Sequence, residues 1–188
     1  MSRTGFDIEL LPAPTPGVPY RIMYVCTGNI CRSPMAEIVT RDLAEDVTLE
    51  GGSSLASHLE VTSAGTGPWH EGGPMDPRTA ATLVRAGFTD HPHIAHQIAT
   101  SQLSQYDLVV ALDRRHQQTL RSLGTDPTRL FLLRSFDPKA GAAADVPDPY
   151  YGDDETFDTC LAMIADGCRG LVAALAVLWD APDAPPVS

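Results

Sequence analysis

Eight residues, 26–33, read Cys-Thr-Gly-Asn-Ile-Cys-Arg-Ser and join two segments of opposite habit. Before them runs an apolar stretch, Ile22, Met23, Tyr24 and Val25, of the kind that forms a buried strand. After them stands Pro34, which suits the first turn of a helix. The chain must pass from strand to helix within this octet, and such a turn aims successive backbone N–H groups at one point. The positive end of the following helix adds to the effect, so the turn is an anion nest. A thiol set in a nest is acidified: an ordinary cysteine titrates near ~8.5, and helix N-termini with cationic neighbours bring it to roughly 3.5–7.5. A shift of ~3 units corresponds to ~4 kcal/mol of preference for the thiolate. The donors that hold a thiolate also hold a phosphate. Cys26 therefore reads as a nucleophile on the floor of a phosphate cradle, against the plainer reading of a buried structural cysteine.

Around this turn, strands and helices alternate. Strand patterns fall at 21–26, 59–64, 107–112 and 130–133. After Pro34, Met35, Ile38, Val39 and Leu43 share one helical face. Further helices are expected at 78–86, ended by Gly87, after a cap at Asp113, and at 154–179. Loops occupy 51–57, 65–77 and 137–153. The pattern predicts an α/β fold, a parallel sheet with helices on both faces, with the site at the carboxyl ends of the strands. Residues 1–19 read as a flexible Pro-rich extension, 20–180 as the working domain and 181–188 as a Pro-rich tail.

The 188 residues suit one domain, and their net charge of −11 opposes nucleic acid or an anionic membrane as partner. An acidic protein that binds an anion must do so through a local field from Arg32 and backbone amides. Residues 1–19 contain four prolines and lack the apolar segment of a secretion signal. The longest apolar run, 171–179, is too short to span a bilayer. Four cysteines, Cys26, Cys31, Cys160 and Cys168, read as reduced thiols of a cytoplasmic protein. No zinc-ligand spacing surrounds Cys26 and Cys31, and neither metal nor other cofactor is expected.

Arg32 returns to the mouth of the nest, where a planar guanidinium grips two phosphate oxygens. Ser33 can donate to the sulfur, cap the helix, or both. Gly28 and Asn29 fit a loop that needs positive φ. In the late loop, Asp148 precedes Pro149, Tyr150 and Tyr151. A leaving phenolate has a pKa near ~10, so a carboxylic acid above the nest assists its departure and can then activate water. The alternative is an ordinary Asp-Pro turn, of which 76–77 and 137–138 are further instances; the tyrosine pair favours an aryl-binding wall. Trp69 fits either the opposite wall or the core. Cys31 reads either as a redox partner of Cys26 or as a small packed thiol. Cys160 and Cys168 read as core. His93 either supports the nest or is an exposed loop histidine.

Residues 26–37, continuing through Pro34, Met35, Ala36 and Glu37, resemble the signature of low-molecular-weight protein tyrosine phosphatases. The resemblance extends to Ser63–Thr66, Trp69–His70, Asp76–Arg78 and Asp148–Gly152, and the wording at 111–113 and 133–138 is most similar to actinobacterial members. It implies a four-stranded parallel sheet in a three-layer α/β/α arrangement, with the phosphate loop after the first strand. It implies metal-free hydrolysis of protein phosphotyrosine through phosphocysteine. It makes Cys26 the nucleophile, Arg32 the clamp and Asp148 the general acid. It gives Thr27, Gly28, Asn29, Ile30, Cys31 and Ser33 to the phosphate loop, with Ser63 and His93 supporting Asn29. It gives Trp69, Tyr150 and Tyr151 to the substrate slot. The expected partner is a phosphotyrosine protein or peptide, and the expected state is a monomer.

Three alternatives stand beside this reading. Arsenate reduction on the same scaffold needs a thiol relay beyond the nest, and Cys160 and Cys168 lie far along the chain. Similar phosphoarginine phosphatases carry Thr where this chain has Ile30, whose apolar side chain suits an aryl ring. A catalytically silent phosphotyrosine-binding module requires a missing nucleophile or acid.

Overall fold

The computed structural model describes residues 6–141 and 145–181. All but the first residue of the tail expected at 181–188, and the first five residues of the extension, lie outside the described residues. Four strands, β1 (Tyr20–Cys26), β2 (Leu59–Gly65), β3 (Leu108–Ala111) and β4 (Leu130–Leu132), form one sheet in the order β2-β1-β3-β4. Every pairing is parallel, with Cys26 opposite Gly65 and Val25 opposite both Ala64 and Ala111. The helices are α1 (Arg32–Glu45), α2 (Pro77–Arg85), α3 (Arg114–Ser122) and α4 (Asp154–Trp179).

β1 is central, so both of its faces are covered and its residues run apolar without alternation. Ile22 and Tyr24 face a large core shared with Met35, Ile38 and Val39 of α1 and with Ile164, Leu171 and Leu175 of α4. Met23 and Val25 face a smaller core closed by Leu120 of α3 and by Ile98 and Leu103. The expected three layers follow from these two cores. β4 is shorter than read: Leu133 already begins a 3-10 turn that runs to Phe136.

α4, at 26 residues, meets the length and apolarity of a bilayer span, which the run 171–179 alone does not. In the fold its apolar face packs on α1, and it serves as a core helix.

Residues 6–19 lie against the domain, where the sequence reading had a flexible extension. Phe6 and Leu11 are buried, the Phe6 ring stands 4.4 Å from that of Phe136, and Tyr20 Oη donates to the Pro12 carbonyl at 3.2 Å. The prolines obscured two apolar anchors. The 51–57 stretch is likewise tied in, with Leu55 buried and its N–H donating to Val47 O at 2.8 Å.

Candidate active site

The octet leaves β1 at Cys26 and enters α1 at Arg32, as its two flanks require. Between them Asn29 adopts φ 56, in the left-handed region. Gly28 does not; what its missing Cβ provides is room, since a Cβ there would stand 2.7 Å from the His70 ring. Among the described residues, the backbone N–H groups of Gly28, Asn29, Ile30 and Cys31 have no protein acceptor. Four donors on one short loop, at the N-terminus of a 14-residue helix, make an anion site.

Asn29 is fixed from several sides. Its Nδ2 donates to Ser33 Oγ at 2.9 Å and Ser63 Oγ at 2.8 Å, and its Oδ1 accepts from the His96 N–H at 3.0 Å. Ser63 Oγ passes its proton onward to Glu37 at 2.6 Å. His93 Nε2 lies 2.8 Å from the Asn29 carbonyl, which can only accept, so Nε2 carries a proton. Burial, first among its surroundings, lowers the His93 pKa, which keeps the ring neutral at pH 7 with the proton on Nε2. Ser33 Oγ sits 3.0 Å from Cys26 Sγ and 3.3 Å from Ala64 O. Its single proton has those two acceptors, since Asn29 already donates to the oxygen.

Arg32 is 3 % exposed. Its Nη1 donates to Asp113 Oδ2 at 2.9 Å and to Val146 O at 3.2 Å; its Nη2 donates to Asp148 Oδ2 at 2.8 Å and to Thr27 Oγ1 at 3.3 Å. Thr27 Oγ1 also lies 2.9 Å from His116 Nε2. His116 Nδ1 is 3.0 Å from Asp113 Oδ1, close but poorly aligned for a hydrogen bond. Burial, then the Arg32 charge, lowers the His116 pKa to about 4, so this imidazole is neutral at pH 7.

Cys26, Thr27, Gly28, Ile30, Cys31 and Arg32 form the floor of an open slot of about 460 Å³. Asp148, Tyr150, Tyr151, Trp69 and His70 complete its lining, with the His70 and Tyr150 ring centroids 6.2 Å apart. Trp69 is 68 % exposed, which resolves its two readings in favour of the slot. The Tyr150 and Tyr151 rings meet edge to face at 5.0 Å, with Tyr151 96 % exposed. Burial pushes the Cys31, Cys160 and Cys168 thiols up to about 12, so all three stay protonated. Of the residues named for the site, Cys26, Thr27, Gly28, Ile30, Cys31, Arg32, Trp69, Asp148, Tyr150 and Tyr151 line the slot, while Ser33, Ser63 and His93 contact Asn29.

A family model described as "Low molecular weight phosphotyrosine protein phosphatase" matches residues 21–178, nearly the whole of the described domain. The chain belongs to this family. The phosphatase family accounts for the sheet order and for a site at the carboxyl end of β1. A low molecular weight protein-tyrosine-phosphatase from Streptomyces coelicolor is 49% identical over 160 residues, covering 83% of this chain and 93% of that protein. The low molecular weight protein-tyrosine phosphatase A of Mycobacterium tuberculosis is 47% identical over 155 residues, covering 81% and 90%. Among phosphatase structures, YfkJ from Bacillus subtilis superposes with a TM-score of 0.73 at 34% identity, covering 85% of this chain and 96% of that one.

Sequence reasoning missed four contributors to the phosphatase site. Asp113 was read only as a helix cap, yet it also holds Arg32; its place directly after β3, the neighbour of β1, was the available signal. His70 stood beside Trp69 in a motif already noted. Glu37 closes the signature already noted, but its link to Ser63 spans 26 residues; His116 carried no signal, because its partner Thr27 is 89 residues away.

Proposed function

We propose that this chain hydrolyses protein phosphotyrosine in two displacements on Cys26. In the first, Cys26 Sγ attacks phosphorus, the bond to the tyrosyl oxygen breaks, and the departing oxygen takes a proton from Asp148. In the second, Asp148 accepts a proton from water as that water attacks the phosphocysteine; the S–P bond breaks, and Ser33 donates to the sulfur it releases. The loop N–H groups and Arg32 carry the charge of the transferring group in both steps.

The observation that carries this reading is the Arg32–Asp148 contact at 2.8 Å, in the slot that Cys26 and its loop also line. It joins clamp and acid, which line one slot together with Cys26. A phosphate that engages Arg32 competes with Asp148 for the same Nη2 and frees the carboxyl to meet the leaving oxygen. The aromatic walls of Trp69 and Tyr150 support an aryl phosphate as substrate. The partner in this proposal is a phosphotyrosine protein or peptide, met by a monomer in the cytoplasm.

The test compares two variants on two substrates. Cys26→Ser is expected to abolish turnover and still bind inorganic phosphate. Asp148→Ala is expected to slow phosphotyrosine hydrolysis by about 10²-fold or more and to slow an aryl phosphate with an acidic leaving group far less. Equal losses on both substrates would remove Asp148 from the acid role.

A further inference from the structure

The acid and the nest stand on segments more than a hundred residues apart, and a second connection joins them besides Arg32. Asp76, the N-cap of α2, donates its N–H to the Ile30 carbonyl of the nest at 2.9 Å. Its carboxylate accepts from Arg78 three times: from the backbone N–H at 2.9 Å, from Nε at 3.0 Å and from Nη2 at 2.8 Å. The first-named of its surroundings, the Arg78 hydrogen bond, holds this carboxyl below the usual carboxylate range, so Asp76 is an anion at neutral pH.

Braced this way, the guanidinium reaches the acid loop. Arg78 Nη2 donates to Tyr150 O at 3.0 Å, and Nη1 donates to Gly152 O at 3.1 Å. Its Cζ lies 4.5 Å from the Phe157 ring centroid, on the first turn of α4, and 5.8 Å from that of Tyr150. The loop is tight by itself: Gly152 N–H donates to Pro149 O at 2.8 Å, and Tyr150 N–H donates to Asp148 Oδ1 at 3.2 Å. Fixing Tyr150 and Gly152 therefore fixes Asp148.

We propose that Arg78 is the positioning residue of Asp148, a strap that runs from Ile30 through Asp76 to Tyr150 and Gly152 and sets the acid's height over Cys26. The strap rests on the general-acid reading of Asp148 given above. It differs from the Arg32 contact in one decisive respect. Phosphate competes for Arg32, whereas Arg78 does not line the slot and keeps its grip when substrate is bound. It also carries Tyr150, so acid and aromatic wall move together.

A displacement of about 1 Å at a reacting group costs on the order of 10²-fold, which sets the scale of the test. Arg78→Lys keeps the charge but cannot hold Asp76 and two carbonyls at once. We expect Arg78→Lys and Arg78→Met to lower kcat/KM, which reports the first displacement, by about tenfold or more on phosphotyrosine, with p-nitrophenyl phosphate falling less than about threefold. In an Asp148→Asn background, Arg78→Lys should have no further effect on phosphotyrosine. Parallel losses on the two substrates, or an undiminished Arg78 effect in the Asp148→Asn background, overturn the strap. Asp148→Asn alone reports on the acid: without a leaving-group-selective loss there, the acid assignment fails and takes the strap with it. A selective loss in Asp148→Asn with none in either Arg78 variant overturns the strap only. Should Arg78→Met fail to fold, Arg78→Lys carries the same comparison.

Discussion

Asn29 occupies backbone that costs an ordinary residue roughly 1–2 kcal/mol, and its amide is what makes the position tolerable. Ser33, Ser63 and the His96 N–H all bind that amide, so the strained turn is over-determined by its surroundings. Two histidines hydrogen-bond the nest, the buried His116 at Thr27 and the half-buried His93 at Asn29, and burial lowers the pKa of both. The sign of the consequence follows from linkage. The unfolded chain protonates these rings near the ordinary histidine value, while the folded chain resists, so the unfolded state binds more protons between that value and the lowered one. His116 thus contributes stability that is full above about 6.5 and is lost as pH falls towards about 4. We expect urea unfolding to show stability falling between pH 7 and pH 5, with at most about 1.4 kcal/mol per pH unit from each ring. His116→Gln should flatten the slope; an unchanged slope would show that other groups carry it.

Among the elements, α3 has a double duty at its first turn. Asp113 caps it, accepting from the His116 N–H at 2.8 Å with one carboxylate oxygen, and holds Arg32 with the other. The two roles separate by substitution. Asp113→Asn keeps a capping oxygen and loses the ion pair, so helix stability should hold while kcat/KM on p-nitrophenyl phosphate falls about tenfold. Asp113→Ala should lose both, with about 1 kcal/mol of stability going with the cap. Equal stabilities and equal rates for the two variants would contradict this division. The same residue shows what was legible in the sequence. The cap is a local relation across three residues and could be read directly. The clamp spans 81 residues and exists only because β3 lies beside β1. The nest was readable for the same reason as the cap: strand, turn, helix start, thiol and guanidinium are consecutive. Asp76 and Arg78 were noted as a motif, but their grip on Tyr150 and Gly152 crosses two long loops that periodicity does not describe.

For the whole molecule, the segment before β1 is the chief departure from what composition suggested. Its proline content resembles a linker, yet Phe6 and Leu11 close the end of the large core beside Phe131 and Phe136. The family match begins only at residue 21, so this cover is an addition to the matched domain. Phe6→Ala should cost about 3 kcal/mol in urea or thermal unfolding and leave kcat on phosphotyrosine within about twofold of the parent. A large drop in kcat at unchanged stability would mean that the segment reaches the catalytic loops by a route its packing does not suggest.

Of the four thiols in the chain, Cys160 and Cys168 are buried on α4's packed face and Cys31 keeps its proton within the nest. A small electrophile or oxidant entering the aromatic cleft therefore meets two thiols, Cys26 and Cys31, of which burial keeps Cys31 protonated. The nucleophilic role proposed for Cys26 would also make it the molecule's point of chemical injury, and a molecule occupying the cleft would act as its shield.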